Sequence, residues 1–481
     1  MCKYALYLLS VVAISLSTAT VATQAPLLPA KAIKYQASYT ATHSQPVDRQ
    51  ALQHPLPILT IEERMSFQLG KSLFNKIWVS SPSSTTASDG LGPLFNARNC
   101  SSCHINNGRG QPAVDESIPK NNLSSVMRLS IPASNNSQRE LLRSGRVASI
   151  DEPTYGAQLQ DMSISGVPAE GLFSTRYTTQ LFTFPDGEVV ELQKPDYQFH
   201  KLNYGELSSK TQHSLRIAPP IIGLGLLEQI ADQQIEALAD PFDLNKDGIS
   251  GKPNYVWNLE TQTKDLGRFG WKAKHPSLAQ QNSQALSQDI GLSSHLFPAG
   301  YGGCTEQQTA CRKAPDGNSE QHDNVEVSND MLHFINFYTQ SLAITPARNQ
   351  DSPAFKRGEK LFHQSGCAQC HTPSFTLDIP NAQPVTLSPY SDLLLHDMGE
   401  GLADSVTEFL ASGSEWRTPP LWSIGLTQLI NPQARFLHDG RARNLTEAIL
   451  WHAGEADTAK EKFIHLDQQQ RRDLILFLES I

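Results

Sequence analysis

Two pentapeptides carry the most specific chemistry in the chain: Cys100-Ser101-Ser102-Cys103-His104 and Cys367-Ala368-Gln369-Cys370-His371. Both read C-x-x-C-H, the attachment pattern of a c-type haem. Two thiols three positions apart reach the two vinyl groups of one porphyrin, and the adjoining His104 or His371 offers a nitrogen to the iron. A thioredoxin-like pair would follow a strand in a βαβ unit, which the flanking residues do not suggest. A four-cysteine zinc site would need its pairs about 15–20 residues apart, whereas these lie in opposite halves of the chain. The spacing predicts two covalently bound c-type haems.

Other residues have the right types to serve such cofactors. In the second half His396, Met398, His438 and His452 are candidates for a further iron ligand. In the first half the candidates nearest in the repeat are His200, His213 and His275, with His213 preferred for its place just before Arg216. Arg216 and Arg417 each precede a Pro-Pro or Thr-Pro-Pro step, and a guanidinium matches the carboxylate geometry of a haem propionate. Cys304 and Cys311 lie in a Gly-rich polar stretch with no histidine at metal spacing, which predicts a local structural disulfide. Asp243, Asn245 and Asp247, with the carbonyl of Ile249, fit the start of a calcium loop. Asn254 stands where the bidentate Glu of an EF-hand would be, so a simple Asx-rich turn is the rival reading.

An internal repeat sets the elements that must position these groups. Phe67-x-x-Gly70-x-x-Leu73-Phe74 precedes the first pentapeptide, and Phe355-x-x-Gly358-x-x-Leu361-Phe362 precedes the second. Their apolar positions share one helical face, and the glycine permits close approach of another backbone. Arg216 with Pro219-Pro220 matches Arg417 with Pro419-Pro420, and an apolar helix ends each copy. Repeats in one order predict two related lobes, each wrapping one haem. The first lobe is expected over 59–345 and the second over 350–481, joined by a polar stretch with two prolines. Insertions lengthen the first lobe; one, Leu181 to Val190, reads as a hairpin turning at Asp186-Gly187. The expected fold is mainly α: two cytochrome c-like lobes with a small β-hairpin insertion.

The chain has 481 residues and a formal net charge of −9. That acidity argues against nucleic acid as a partner, because phosphate binding needs a basic face. Residues 1–25 read as a signal peptide: Lys3, an apolar run too short to span a bilayer, then small residues. Export to a bacterial periplasm follows, without a transmembrane anchor in the mature chain. Residues 26–58 are expected to form an extended arm.

The sequence resembles the dihaem cytochrome c peroxidase superfamily, and within it the di-haem oxidoreductase, or thiol oxidoreductase-like, branch. The residues that carry this are Gly90-Leu91-Gly92-Pro93-Leu94-Phe95-Asn96-Ala97, Gly223-Leu224-Gly225-Leu226-Leu227-Glu228 and His438-Asp439-Gly440-Arg441-Ala442. The resemblance implies reduction of hydrogen peroxide or a related oxidant at the first haem. Electrons would come through the second from a small periplasmic cytochrome or copper protein. It implies an iron ligand seven residues past a leucine: His452 after Leu445, where relatives carry Met or Tyr. The matching first-half position, after Leu278, is Ala285, which cannot ligate iron. It also implies a distal Gln281, a nearby acid (Asp289, with Glu228 as rival), an electron relay at Trp271 and calcium between the lobes. The relatives' Trp falls at Phe269, a departure that touches the relay. A di-haem electron carrier and an enzyme oxidising a partner protein are the competing readings.

Overall fold

Each half of the repeat is built on two helices that cross at a glycine. In the first, α1 (Ile61–Asn75) starts at a capping box of Thr60 and Glu63. Its buried Phe67, Gly70 and Phe74 face the C-terminal helix of that half. A Cβ on Gly70 would sit 2.1 Å from the Phe334 carbonyl oxygen, so only glycine allows the crossing. Between these helices in sequence lies α2 (Leu278–Ala285), capped by Ser277. The partner of α1 is α3 (Asn329–Gln340), which buries Leu332, Ile335 and Tyr338. In the second half α4 (Pro353–Gln364) begins with Ser352 as cap and proline in its first turn. Next come α5 (Leu445–Leu450), capped by Asn444, and α6 (Asp457–Ile464). The half closes with α7 (Gln468–Ser480), which carries a second capping box, Asp467 with Gln470. A Cβ on Gly358 would meet the Asp473 carbonyl oxygen at 2.1 Å, the same crossing repeated.

The structure, a computed structural model, describes residues 41–112, 124–377 and 384–481, which belong to one compact unit. The signal peptide expected over 1–25, and residues 26–40 of the expected arm, lie outside the described residues. Residues 41–58 run along the join between the halves, with His43 N–H donating to the Ile344 carbonyl and Ala343 N–H to that of His54. Among the described residues no helix is long and apolar enough to cross a membrane.

The expectation of a mainly α fold in two cytochrome c-like lobes is overturned. Among the described residues 30% are helical and 20% in strands, a mixed α/β composition. Its described strands pair two by two in seven small sheets. Many are two or three residues long, too short to show a period-two pattern in sequence. Six strands, in three antiparallel pairs, matter for the site. Strand β1 (Ser125–Ser130) pairs antiparallel with a later strand, Gln212–Ile217. Between them lie β2 (Leu172–Thr183) and β3 (Val189–His200), a hairpin of two twelve-residue strands. The later partner of β1 is thus β4. In the second half β5 (Leu395–Asp397) pairs with β6 (Glu415–Arg417), setting His396 opposite Trp416.

The hairpin turns where Asp186-Gly187 places it, Gly187 having φ +89°. It is much longer than a small insertion, and its tip leaves the first half altogether. Phe184, 2% exposed, packs edge-on against Phe463 of α6 in the core of the second half. The Arg471 guanidinium lies 4.0 Å over the Phe184 ring and pairs with Asp186 and Glu188 at 2.6 Å.

Candidate functional site

Each C-x-x-C-H motif opens as a turn of 3-10 helix, Cys100–Ser102 and Cys367–Gln369, with Asn99 or Gly366 before it. Each lines its own cavity together with the following histidine. The thiols are not paired. Burial pushes Cys100, Cys103 and Cys367 up to about 12 and raises Cys370 as well. A reactive redox pair needs the opposite shift, so this environment suits thiols carried as neutral groups or converted to thioethers.

The histidines are oriented from behind. His104 Nδ1 donates to the Pro219 carbonyl at 2.8 Å, and His371 Nδ1 to that of Tyr390 at 2.9 Å. A carbonyl only accepts, so the proton is on Nδ1 and the Nε2 lone pair is left for a metal. Burial lowers both side chains, His371 to about 4, which keeps them neutral. Phe74 and Phe362 flank the two rings in matching positions.

Opposite these histidines the cavities diverge. His452 follows α5 directly; its Nδ1 donates to the Ala448 carbonyl at 2.7 Å, again freeing Nε2, and it lines the second cavity with His371. Met398, His396 and His438 line that cavity too. His396 is held between Asp392 (2.8 Å) and Glu455 (2.7 Å); burial opposes its charge, but the two carboxylates keep it protonated, which unsuits it to iron. His438 stacks on Trp416 with ring centres 3.7 Å apart, and burial lowers it to about 4. In the first cavity the equivalent of His452 is Ala285. It shares a face of α2 with Gln281, one turn earlier, and both line the cavity. Gln281 Oε1 is buried with no hydrogen-bond partner. Asp289 lines the same cavity and accepts from Gln158 Nε2 at 2.9 Å.

Several sequence-based assignments change. Glu228 is absent from the lining: its Oε1 accepts from Leu278 N–H and its Oε2 from Gln340 Nε2, both at 2.8 Å. It fixes the start of α2 instead. Arg216 lines the first cavity but is occupied by Glu408 (2.7 Å) and Asp404 (3.2 Å), so it has no claim on a propionate. His200, His213 and His275 line neither cavity; His213 packs edge-on against Tyr197 and Phe199. Trp271 does line both cavities, with its indole N–H given to the Ile217 carbonyl at 2.9 Å. Cys304 and Cys311 form a disulfide, Cα atoms 6.0 Å apart. The loop of Asp243, Asn245, Asp247 and Ile249 is an exposed set of Asx turns, Asp243 and Asp247 accepting from the N–H groups of Gly248 and Ile249. Gln369 Nε2 donates to Asp247 at 3.3 Å, which ties that loop to the second pentapeptide.

Three charged residues of the first cavity, Arg109, Arg128 and Lys274, escaped the sequence reading. Val126 and Arg128 on β1 and Arg216 on β4 share a sheet face by the period-two rule, which aims Arg128 into the cavity. Lys274 pairs with Glu408 at 3.3 Å, and burial lowers it to about 8. Arg109 and Arg417 line both cavities, and burial pulls each down to about 10. Only Arg109 had a signal: it is the single Lys, Arg, Asp or Glu between Asn99 and Pro112.

Residues 33–481 match the family described as "Di-haem oxidoreductase, putative peroxidase". The chain belongs to that family. As a di-haem oxidoreductase it is a haem protein, and the two cavities fit the group. The Nδ1 protons of His104, His371 and His452 leave three Nε2 lone pairs free beside the cavities, and the four half-buried thiols and the unpartnered Gln281 oxygen suit the same group. No curated protein matches the chain. Among solved structures it is similar to Kuenenia stuttgartiensis hydrazine synthase pressurized with xenon. The identity is 18% over 52% of this chain and 88% of that one, with a TM-score of 0.24.

Proposed function

We propose that this di-haem oxidoreductase is an exported peroxidase, reducing hydrogen peroxide or a related oxidant in the first cavity with electrons that enter through the second. The observation that carries this reading is Ala285 standing where the second cavity has His452. One cavity leaves room for a small molecule opposite His104; the other presents a second imidazole opposite His371.

In this reading Cys100 with Cys103, and Cys367 with Cys370, hold the two porphyrins as thioethers. His104, His371 and His452 would ligate iron. The haems, when bound, would supply one-electron redox chemistry. The chain's own residues do the rest. Gln281 Oε1 accepts a hydrogen bond from an O–H of the peroxide and fixes its orientation. Asp289 takes a proton from one peroxide oxygen and returns it to the other. Two electrons and two protons then convert hydrogen peroxide to two waters. Trp271, in the wall of both cavities, relays electrons between them. Residues 1–25 direct export to the periplasm, where a small cytochrome or copper protein is the donor. Calcium at Asp243, Asn245, Asp247 and the Ile249 carbonyl would pin the loop that Gln369 touches.

The test is stopped-flow addition of peroxide to the half-reduced, haem-loaded protein, with electron paramagnetic resonance of both irons. Rapid reoxidation, steady turnover and one iron that is high-spin in the half-reduced protein are expected. Two irons that stay low-spin and an inert protein would sink the peroxidase reading in favour of an electron carrier.

A further inference from the structure

Arg109 and Arg417 stand in the wall that the two cavities share, and each lines both. Each is only 8% exposed. Arg109 Nη1 donates to the Leu437 carbonyl at 2.9 Å. Arg417 donates from Nε to the Gly270 carbonyl and from Nη1 to that of Thr418, both at 3.0 Å. Among the described residues neither forms an ion pair with a carboxylate. Of the other arginines of the first-cavity wall, Arg216 is paired with Asp404 and Glu408 and Arg268 with Asp232, while Arg128, bonded to Gln288, lines the first cavity and not the second.

A guanidinium keeps its proton in proteins. Burying one with no opposite charge carries an effective penalty of several kcal/mol. Two such groups in one shared wall, with only the Asp392 carboxylate, itself paired with His396, near enough to act on Arg417, call for counter-charge from whatever fills the cavities. A haem brings two propionate carboxylates, and the planar fork of arginine matches them.

We propose that Arg109 and Arg417 form a shared cationic bridge, facing propionate charge from both haems and coupling the redox potentials of the two sites. The inference rests on the two-haem reading and goes beyond it, because it gives both arginines a joint role that neither cavity explains alone. Positive charge beside a haem favours its reduced form, so each arginine raises both potentials. The Arg109 guanidinium also lies 5.3 Å over the Trp271 ring, where its charge makes that ring harder to oxidise.

Spectroelectrochemical titration of the full-length, haem-loaded protein tests this, once two haems per chain are verified by mass and absorbance. Arg109→Leu and Arg417→Leu should each lower both midpoints. Arg268→Leu, from a side chain that lines only the first cavity, should leave the second midpoint where it was. Arg109→Lys and Arg417→Lys keep the charge and should restore most of both values, which a purely structural role would not do. Where a Leu variant fails to load two haems, the Gln variant removes the charge at smaller steric change and is read the same way. A shift confined to one haem, or no shift at either, overturns the proposal. Peroxide turnover is no part of the readout, so the bridge can fail while the peroxidase reading stands, and the reverse.

Discussion

The first and second cavities are assembled from equivalent elements. Each has a glycine-crossed helix pair at its back and an aromatic flank, Phe74 or Phe362, on its histidine. Each has a wall helix that starts one residue after its cap, Ser277 before Leu278 and Asn444 before Leu445. They part at one position seven residues on, where Ala285 faces His452 in the repeat. They part again behind the proximal ring, where Pro219 holds His104 but Tyr390, not the matching proline, holds His371. Pro419 lines both cavities and Pro420 the first. The duplication therefore preserves the frame and lets single wall residues set what each site can bind.

The sharpest way to break this comparison is to remove one attachment at a time. Cys100→Ser with Cys103→Ser should leave one haem per chain, counted by mass and absorbance, and abolish peroxide turnover. The matching Cys367→Ser with Cys370→Ser pair should leave the other haem and end electron supply while sparing oxidant binding. Next comes the wall position. Ala285→His should turn the first iron low-spin and close it to peroxide; His452→Ala should open the second, both read by electron paramagnetic resonance. Asp289→Asn should slow turnover on the order of 10²-fold with little change in spin state. At the level of the frame, Gly70→Ala and Gly358→Ala should destabilise the fold alike, each by about 1–3 kcal/mol or more from overpacking. Thermal unfolding measures this, and a large inequality between the two would argue that the crossings are not equivalent.

A separate effect is in pH. Burial lowers His438 from 6.5 to about 4 in the folded chain. Between those values the unfolded chain binds the extra proton, so stability falls as pH drops from about 6.5 to about 4, by at most about 1.4 kcal/mol per pH unit. His438→Gln should flatten that slope in urea titrations; an unchanged slope would assign it to other groups.

The repeat was legible because Phe67, Gly70 and Phe74 recur as Phe355, Gly358 and Phe362, and a glycine at a helix crossing has no substitute. The pentapeptides and Ala285 were legible for the same reason, since each depends on spacing within one segment. The strand content was not, because two- and three-residue strands are made by partners elsewhere in the chain and leave no periodicity of their own. Arg216 shows the same limit. Its type and position suggested a propionate, but its partners Asp404 and Glu408 arrive nearly two hundred residues later. Glu228 likewise read as a catalytic acid until the N–H of Leu278 claimed it.

Phe184 has no seat of its own. Its ring is covered by Phe463 and Arg471, so the tongue formed by β2 and β3 stays uncovered until that far stretch of polypeptide is in place. A protease meeting a partly made or partly opened molecule would find this aromatic tip first. Sensitivity to cleavage between residues 184 and 188 therefore reports whether the two halves have closed on each other.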